Sequence, residues 1–463
     1  MEGGVEERAK RICRAVADEG GRALAVGGWV RDRFLATDEE RKDLDLEVFG
    51  IPPDRLVEIL RPFGRVDLVG KAFGVLKVAG VDVSIPRRET KIGSGHKGFR
   101  IDSDPNLSFE EAGRRRDLTI NAMGEDLLTG EILDPHGGRR DIEKRMLRAV
   151  DAAHFGEDPL RGLRVCRFAA RFLFQVEAET ADLCRALDLS ELPAERLFEE
   201  FRRLLLETRH PSVGFQTMRI VGLTRFFPDL ESLIGCPQEY EWHPEGDVWA
   251  HTLLVLDAAA SLRTGDSDED LILMFAALCH DLGKPLVTGD EGDGRVRSPN
   301  HEPLGERPTR AFMDRITREK KLVDDVVALV VHHLRPHSLH LGGAGPTAVR
   351  RLATKVPIAR LVRHARADHY GRTTPDAIAR VFPAGDWLLA MAEELEVADR
   401  GPRAVLMGRH LLELGYRPGP AMGEVLALAF EAQIEGRFDD LEGALAWLHE
   451  EGDPEGKARG GGR

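Results

Sequence analysis

The apolar residues of this chain change their period near residue 136, and that change limits the possible folds more than any other feature. Before it, short apolar runs such as ALAVGG, VDLVG, GVLKVAG and VDVSI alternate with loops and helical stretches, the pattern of an α/β or α+β domain. After it, RRDIEKRMLRAV, PLRGLRVCRFAARFLF, AERLFEEFRRLLLE, AHTLLVLDAAASL and LILMFAALCHDL all repeat their apolar residues at the spacing of an α-helix. The expected fold class is α+β: an N-terminal mixed-sheet domain followed by an all-helical body.

A chain of 463 residues is too long for one core and suggests about three domains. Pro- and Gly-bearing joints fall at HPSVG (210–214), GCPQEYEWHPEGD (235–247) and GDEGDGRVRSPN (289–300). The last is long and polar, which suits either a loop beside a site or a mobile one. Residues 456–463 read as a disordered tail.

With 42% hydrophobic and 31% charged residues, the chain has enough apolar content to fold. It contains no apolar run of membrane-spanning length, and its N-terminal segment is charged throughout, so no membrane association is expected and a cytoplasmic location is. Five scattered cysteines without a CxxC pair indicate neither a disulfide framework nor a thiolate zinc site. A net charge of −14 disfavours a broad nucleic-acid surface. Residues 139–173 differ, with nine Lys/Arg against five Asp/Glu.

Two short segments carry the chemistry of the first domain. In ERKDLDLEVFG (40–50), Leu44, Leu46 and Val48 alternate with Asp43, Asp45 and Glu47, so a strand would send the apolar residues one way and the carboxylates the other. Such a face is either a wet strand surface or a cation site. Upstream, AVGGWVRDRFL (25–35) reads as a strand, a Gly27-Gly28 turn and a helix, a geometry in which backbone N–H groups approach a phosphate and Arg31 adds a forked donor. Carboxylates two apart on one strand face can share the cations of a phosphoryl transfer.

Together these segments resemble the nucleotidyltransferase superfamily. Residues 69–123, and above all GRRRDLTINAM (113–123), are similar to class II of that superfamily, the transfer-RNA CCA-adding enzymes and bacterial poly(A) polymerases. VGKAFGVLKV resembles the CCA-type strand rather than the Arg-rich polymerase version. The resemblance implies a polymerase-β-like domain in which Asp43 and Asp45 hold Mg²⁺, Asp82 supplies a third carboxylate, and Gly27, Gly28, Arg31 and Arg116 hold the triphosphate. HFGEDPLRGLRVCRFAARF (154–172) resembles the family's EDxxR element. There Asp158 and Arg161 would read the base edges of CTP and ATP, as a carboxylate accepts from an exocyclic amine and a guanidinium donates to ring acceptors. Arg164 and Arg167, continuing a helical stripe at three-residue steps, would face phosphates or the RNA end. The other reading of that stripe is a salt-bridged solvent face. AERLFEEFRRLLL (194–206) matches the next helical element, where Glu195 and Arg196 brace helices.

Further along, His251, the pair His280-Asp281, His301, His332-His333 and Asp368 resemble the HD phosphohydrolase domain fused to bacterial CCA-adding enzymes. The resemblance implies His251, His280, Asp281 and Asp368 as ligands of a divalent ion (Mn, Ni, Co, Fe or Mg), with His301 and either His333 or His332 at a second metal or substrate. Lys284 would steady phosphate charge. Residues 407–448 are similar to the family's C-terminal RNA-gripping helices.

The expected organisation is 1–136 catalytic, 137–235 nucleotide-selecting neck, 236–375 HD and 376–455 RNA-binding. The expected activity is template-independent addition of CCA to transfer-RNA 3′ ends, with a second phosphohydrolase activity and no obligate protein partner. Alternatives are a poly(A) polymerase, a CC- or A-only enzyme, or a phosphohydrolase whose first half only binds RNA.

Overall fold

Strand β1 (Arg22–Val26) takes an interior place in its sheet because four of its five residues are apolar and covered on both faces: Ala23, Leu24, Ala25 and Val26 are all buried. The structure is a computed structural model that describes residues 4–35, 44–69, 75–91, 99–290 and 292–452. Asp43 and the 456–463 tail of the sequence reading lie outside the described residues. The chain divides into two compact units, Met1–Pro228 and Asp229–Arg463.

In the first unit the sheet continues with β2 (Asp45–Phe49), β3 (Asp67–Val69), β4 (Val75–Val78) and β5 (Val81–Ser84). A separate hairpin pairs β6 (Arg87–Lys91) with β7 (Phe99–Ser103), and β8 (Gly124–Glu125) and β9 (Ile132–Leu133) complete the sheet. The strand order is β3-β4-β5-β2-β1-β8-β9. Its neighbours are antiparallel except β2 and β5, which run parallel and set Asp45 opposite Asp82. Helix Val5–Asp18 lays Ala9, Ile12, Cys13 and Val16, one helical stripe, beside β1. The helices Leu160–Phe172, Ala194–Glu207 and Pro211–Ile220 pack together after the sheet.

In the second unit, helix Ser267–Cys279 is buried at every position from Asp270 onward. A helix apolar on all sides has to be central, and this one packs among Val248–Ser261, Lys320–His332 and Ile358–Tyr370. Asp247 and Asp266 start two of these helices, their carboxylates accepting from Ala250 N and from Asp268 N and Glu269 N. Near the end of the described chain, Leu406, Leu411, Tyr416, Val425 and Phe438 belong to a core of their own.

The α+β class stands, with one amendment to the all-helical body: it carries two small strand pairs, Met146–Leu147 with Gln175–Val176 and Gly289–Asp290 with Val296–Arg297. The second pair makes the polar 289–300 stretch a hairpin, which Glu239 Oε2 holds by accepting from Val296 N at 3.0 Å. Among the described residues no helix is long and apolar enough to cross a membrane.

Candidate active sites

At the end of β1 the chain turns through Gly27, whose φ of +69° and ψ of −130° only glycine adopts without strain. Two guanidinium groups border this turn. A Cβ on Gly27 would lie 3.5 Å from Arg116 Nη1, and one on Gly28 would lie 3.4 Å from Arg31 Nη2. Arg31 is buried. Its Nη1 donates to Asn121 Oδ1 and its Nε to Asp32 Oδ1, both at 2.7 Å, and its charge lies over the rings of Phe172 and Phe168 at 4.8 and 5.4 Å. Burial lowers its pKa, against the pull of Asp32. It is an anchored cation rather than the open fork that its sequence position suggests.

Asp45 is exposed at the start of β2, with Asp82 as its register partner on β5. Asp82 also sits 3.0 Å from Lys77 Nζ. The two carboxylates line a cleft of about 530 Å³ together with Arg65, Asp67 and Lys77. Oxygen donors grouped around one cleft suit a hard cation such as Mg²⁺.

Glu47 does not extend a wet acidic face, as the alternation alone suggests. Its side chain is 0% exposed and receives Arg115 Nη2 at 2.6 Å and Arg116 Nη2 at 3.2 Å. Burial opposes its charge, but the two guanidinium groups outweigh that and keep its pKa below the usual carboxylate range. Arg116 is thus held from below by Glu47 and by the Asn121 carbonyl at 3.3 Å, while its buried Nε has no hydrogen-bond partner.

Asp158 lies just before helix Leu160–Phe172 rather than within a helical stripe, because Pro159 opens the helix and Asp158 Oδ1 accepts from Leu160 N at 3.1 Å. Its Oδ2 accepts from Arg196 Nη2 at 2.9 Å, which makes Arg196 a brace. Arg161 is buried and donates to two backbone carbonyls, His154 O and Arg115 O, both at 2.6 Å. Arg164 Nε donates to Asp117 Oδ2 and Arg167 Nε to Glu200 Oε2, each at 2.7 Å. Asp117 also accepts from Asn121 Nδ2 at 2.9 Å, so a line of polar contacts runs from Arg164 through Asp117 and Asn121 to Arg31 beside the glycine turn. Burial disfavours the Asp117 charge, yet Arg164 and Asn121 hold its pKa at about 2. Sequence reasoning passed over Glu47, Arg115, Asp117, Asn121 and Glu200. The available signal was polar residues within otherwise buried stretches.

In the second unit, His251, His280, Asp281, His301, His333 and Asp368 converge, all buried. His332 lies outside this group, and His333 is the member of that pair inside it. Three of the four imidazoles are oriented alike: Nδ1 of His280, His301 and His333 donates to the carbonyl three residues back, Ala277, Ser298 and Val330, at 2.9, 2.8 and 2.6 Å. His251 Nδ1 meets Glu245 Oε1 at 2.8 Å. A carbonyl or carboxylate oxygen only accepts, so every Nδ1 carries the proton and every Nε2 turns a lone pair inward when the ring is neutral.

Those lone pairs face other acceptors. His251 Nε2 is 3.0 Å from Asp368 Oδ1, His301 Nε2 is 3.4 Å from His333 Nε2, and Asp281 Oδ1 is 3.3 Å from His301 Nε2. His280 Nε2 and both Asp281 oxygens are buried without a hydrogen-bond partner, although Lys284 Nζ stands 2.7 Å from Oδ2. Such a cluster calls for positive charge at its centre. Burial opposes protonation, but Asp281 still raises the pKa of His280 and His301. Burial likewise opposes ionisation of Asp281 and Asp368, whose cationic neighbours nonetheless hold both well below the usual range. The donors fall into three overlapping sets, namely His243, Glu245, His251, then His251, His280, Asp281, and then Asp281, His301, His333, and imidazole with carboxylate suits divalent transition metals. A cleft of about 250 Å³ opens onto Asp281, His301, His333 and Asp368, with Lys284 and Arg372 on its wall.

Comparison with known proteins bears on both units. Residues 23–148 match the Poly A polymerase head domain, 174–234 the probable RNA and SrmB-binding site of polymerase A, and 248–373 the HD domain. The multifunctional CCA protein of Pasteurella multocida is 40% identical over 322 residues, covering 67% of this chain and 74% of that protein. The fold resembles the Bacillus stearothermophilus CCA-adding enzyme in complex with CTP, at a TM-score of 0.65 and 22% identity over 97% of this chain and 98% of that one. It also resembles the Thermotoga maritima CCA-adding enzyme complexed with tRNA, at a TM-score of 0.57 and 19% identity over 95% and 94% of the two chains. The multifunctional CCA protein of Stenotrophomonas maltophilia is 36% identical over 421 residues, 87% of this chain and 97% of that protein, and this chain therefore belongs to the multifunctional CCA protein family.

Proposed function

We propose that this protein adds CCA to transfer-RNA 3′ ends from CTP and ATP, and hydrolyses phosphate esters at a separate metal centre. The observation that carries the first activity is the Asp45–Asp82 pair on the sheet that also bears the arginine-bordered Gly27-Gly28 turn. In this reading the turn's backbone N–H groups and Arg116 hold the triphosphate. Asp45 and Asp82, with Asp43 two positions before Asp45 in sequence, hold Mg²⁺, which when bound offsets the charge that develops on the phosphoryl oxygens. The terminal RNA hydroxyl attacks the α-phosphorus in line, and the bond to the β-phosphate breaks, releasing pyrophosphate.

Asp158 accepts from the exocyclic amine of the base and Arg161 donates to the adjacent ring acceptor. Arg161 is suited to this because its two backbone bonds fix the guanidinium while each terminal nitrogen retains a second N–H. Arg164 and Arg167 steady the helix through Asp117 and Glu200. Transfer RNA, CTP and ATP are the partners, and a cytoplasmic location fits these substrates. Residues 376–455 serve to grip RNA.

The test uses transfer RNAs that end at the discriminator base, at C or at CC, each incubated with CTP or ATP alone and then with both. Stepwise completion to CCA supports the reading. Long A-tails on any RNA would make the enzyme a poly(A) polymerase, and arrest after CC or before C would make it a partial enzyme.

For the second activity, the inward-facing Nε2 atoms support a metal site formed by His251, His280, Asp281 and Asp368, with His301 and His333 flanking a second ion or the substrate. Manganese, nickel, cobalt, iron or magnesium fits such donors, and when bound it supplies Lewis acidity toward a phosphate ester. Lys284 and Arg372 line the cleft where phosphate oxygens would sit.

A further inference from the structure

His251 differs from the other inward-facing histidines in one respect. His280 and His333 are the residues that end helices Ser267–Cys279 and Lys320–His332, where last-turn carbonyls lack an i+4 N–H and are free to accept from an imidazole. His301 uses Ser298 O, which precedes its helix. His251 is the fourth residue of Val248–Ser261, and the carbonyl three positions back, Val248 O, already accepts the Thr252 hydroxyl at 2.8 Å inside the helix. A free backbone acceptor is therefore missing where His251 needs one.

Glu245 takes that place. Its carboxylate is 2% exposed, and Oε1 accepts from His251 Nδ1 at 2.8 Å and from His243 Nδ1 at 2.9 Å. Its Oε2 accepts from Thr373 N at 3.1 Å and Thr373 Oγ1 at 3.2 Å. Thr373 follows helix Ile358–Tyr370, which carries Asp368. One carboxylate thus ties the segment before His251 to the segment after Asp368, the two groups whose Nε2 and Oδ1 stand 3.0 Å apart.

We propose that Glu245 is the positioning residue of this centre: it fixes the His251 ring with Nε2 facing inward and holds the His251 and Asp368 helices in register for one cation. The inference rests on the reading of the centre as a metal site. Partners of this kind orient ligating histidines and raise their basicity, and their loss weakens metal binding about 10- to 100-fold.

The experiment titrates Mn²⁺ into chelator-stripped full-length protein by calorimetry, for wild-type Glu245, Glu245→Ala and Glu245→Gln, each also carrying Asp45→Asn to remove the other cation site, with the melting temperature of each stripped protein as the folding control. Glu245→Ala should bind Mn²⁺ at least tenfold more weakly. Glu245→Gln, whose carbonyl oxygen still accepts from His251 Nδ1 while its amide nitrogen cannot accept from Thr373 N, should recover part of that loss. Wild-type affinity in the alanine variant, or equal loss in both variants, overturns the role of Glu245. A protein with Glu245 intact that binds no Mn²⁺ overturns the metal reading beneath it.

Discussion

Asp45 and Asp82 are register partners across the parallel β2–β5 pair, although 36 residues separate them in sequence. If this pair holds the cation of nucleotide addition, Asp45→Asn, which preserves shape and removes charge, brings incorporation of CTP and ATP to background with an unchanged melting temperature. Incorporation at the wild-type rate would remove Asp45 from the chemistry.

Glu47 is a structural charge on the same strand. Removing one partner of a buried ion pair costs about 3–5 kcal/mol, and because Arg115 and Arg116 keep some solvent contact the lower end applies. Glu47→Gln should lower the melting transition of the first unit and raise KM for both nucleotides, since Arg116 loses its support. Melting curves and nucleotide titrations check the two effects separately.

Asp117 makes acid stability depend on pH. Its folded pKa of about 2 lies below the ordinary 3.8, so its contribution is fully present above pH 4 and disappears as pH falls toward 2. A depression of this size corresponds to roughly 2 kcal/mol. Acid unfolding of Asp117→Asn, followed by circular dichroism, should be less steep between pH 4 and pH 2 than that of the unsubstituted protein.

All five cysteines are buried as free thiols. Burial raises Cys166 and Cys279 well above the usual thiol range and takes Cys13 and Cys184 to about 12. Because the thiolate is the reactive species, a disulfide reagent at pH 8 should label the native protein slowly and all five thiols at once after denaturation.

The two activities should separate by substitution. His280→Ala removes hydrolysis of p-nitrophenyl phosphate supported by added Mn²⁺ or Ni²⁺, while nucleotide incorporation continues at its original rate. Loss of both would mean that one centre serves both reactions.

What could be read from the sequence was whatever adjacent residues decide. The glycine turn follows from Gly27 alone, since no other residue adopts its backbone angles without strain. The apolar side of β2, the central helix Ser267–Cys279 and the fold class follow from apolar periodicity. Glu47 was not legible, because its partners are 68 and 69 positions away and a carboxylate in an alternating strand looks wet until another segment covers it. The helical stripe of Asp158, Arg161, Arg164 and Arg167 was legible as spacing, but Pro159 opens the helix and leaves Asp158 before it, and Asp117 and Glu200 claimed two of the arginines.

The residue types of the two centres and the local elements that carry them are written in short stretches of the chain. Which of those charges are buried, what each is paired with, and which way each histidine turns come from long-range packing. Desolvation and hydrogen-bond geometry depend on segments tens of residues apart in the chain, and those meet only once the core has closed.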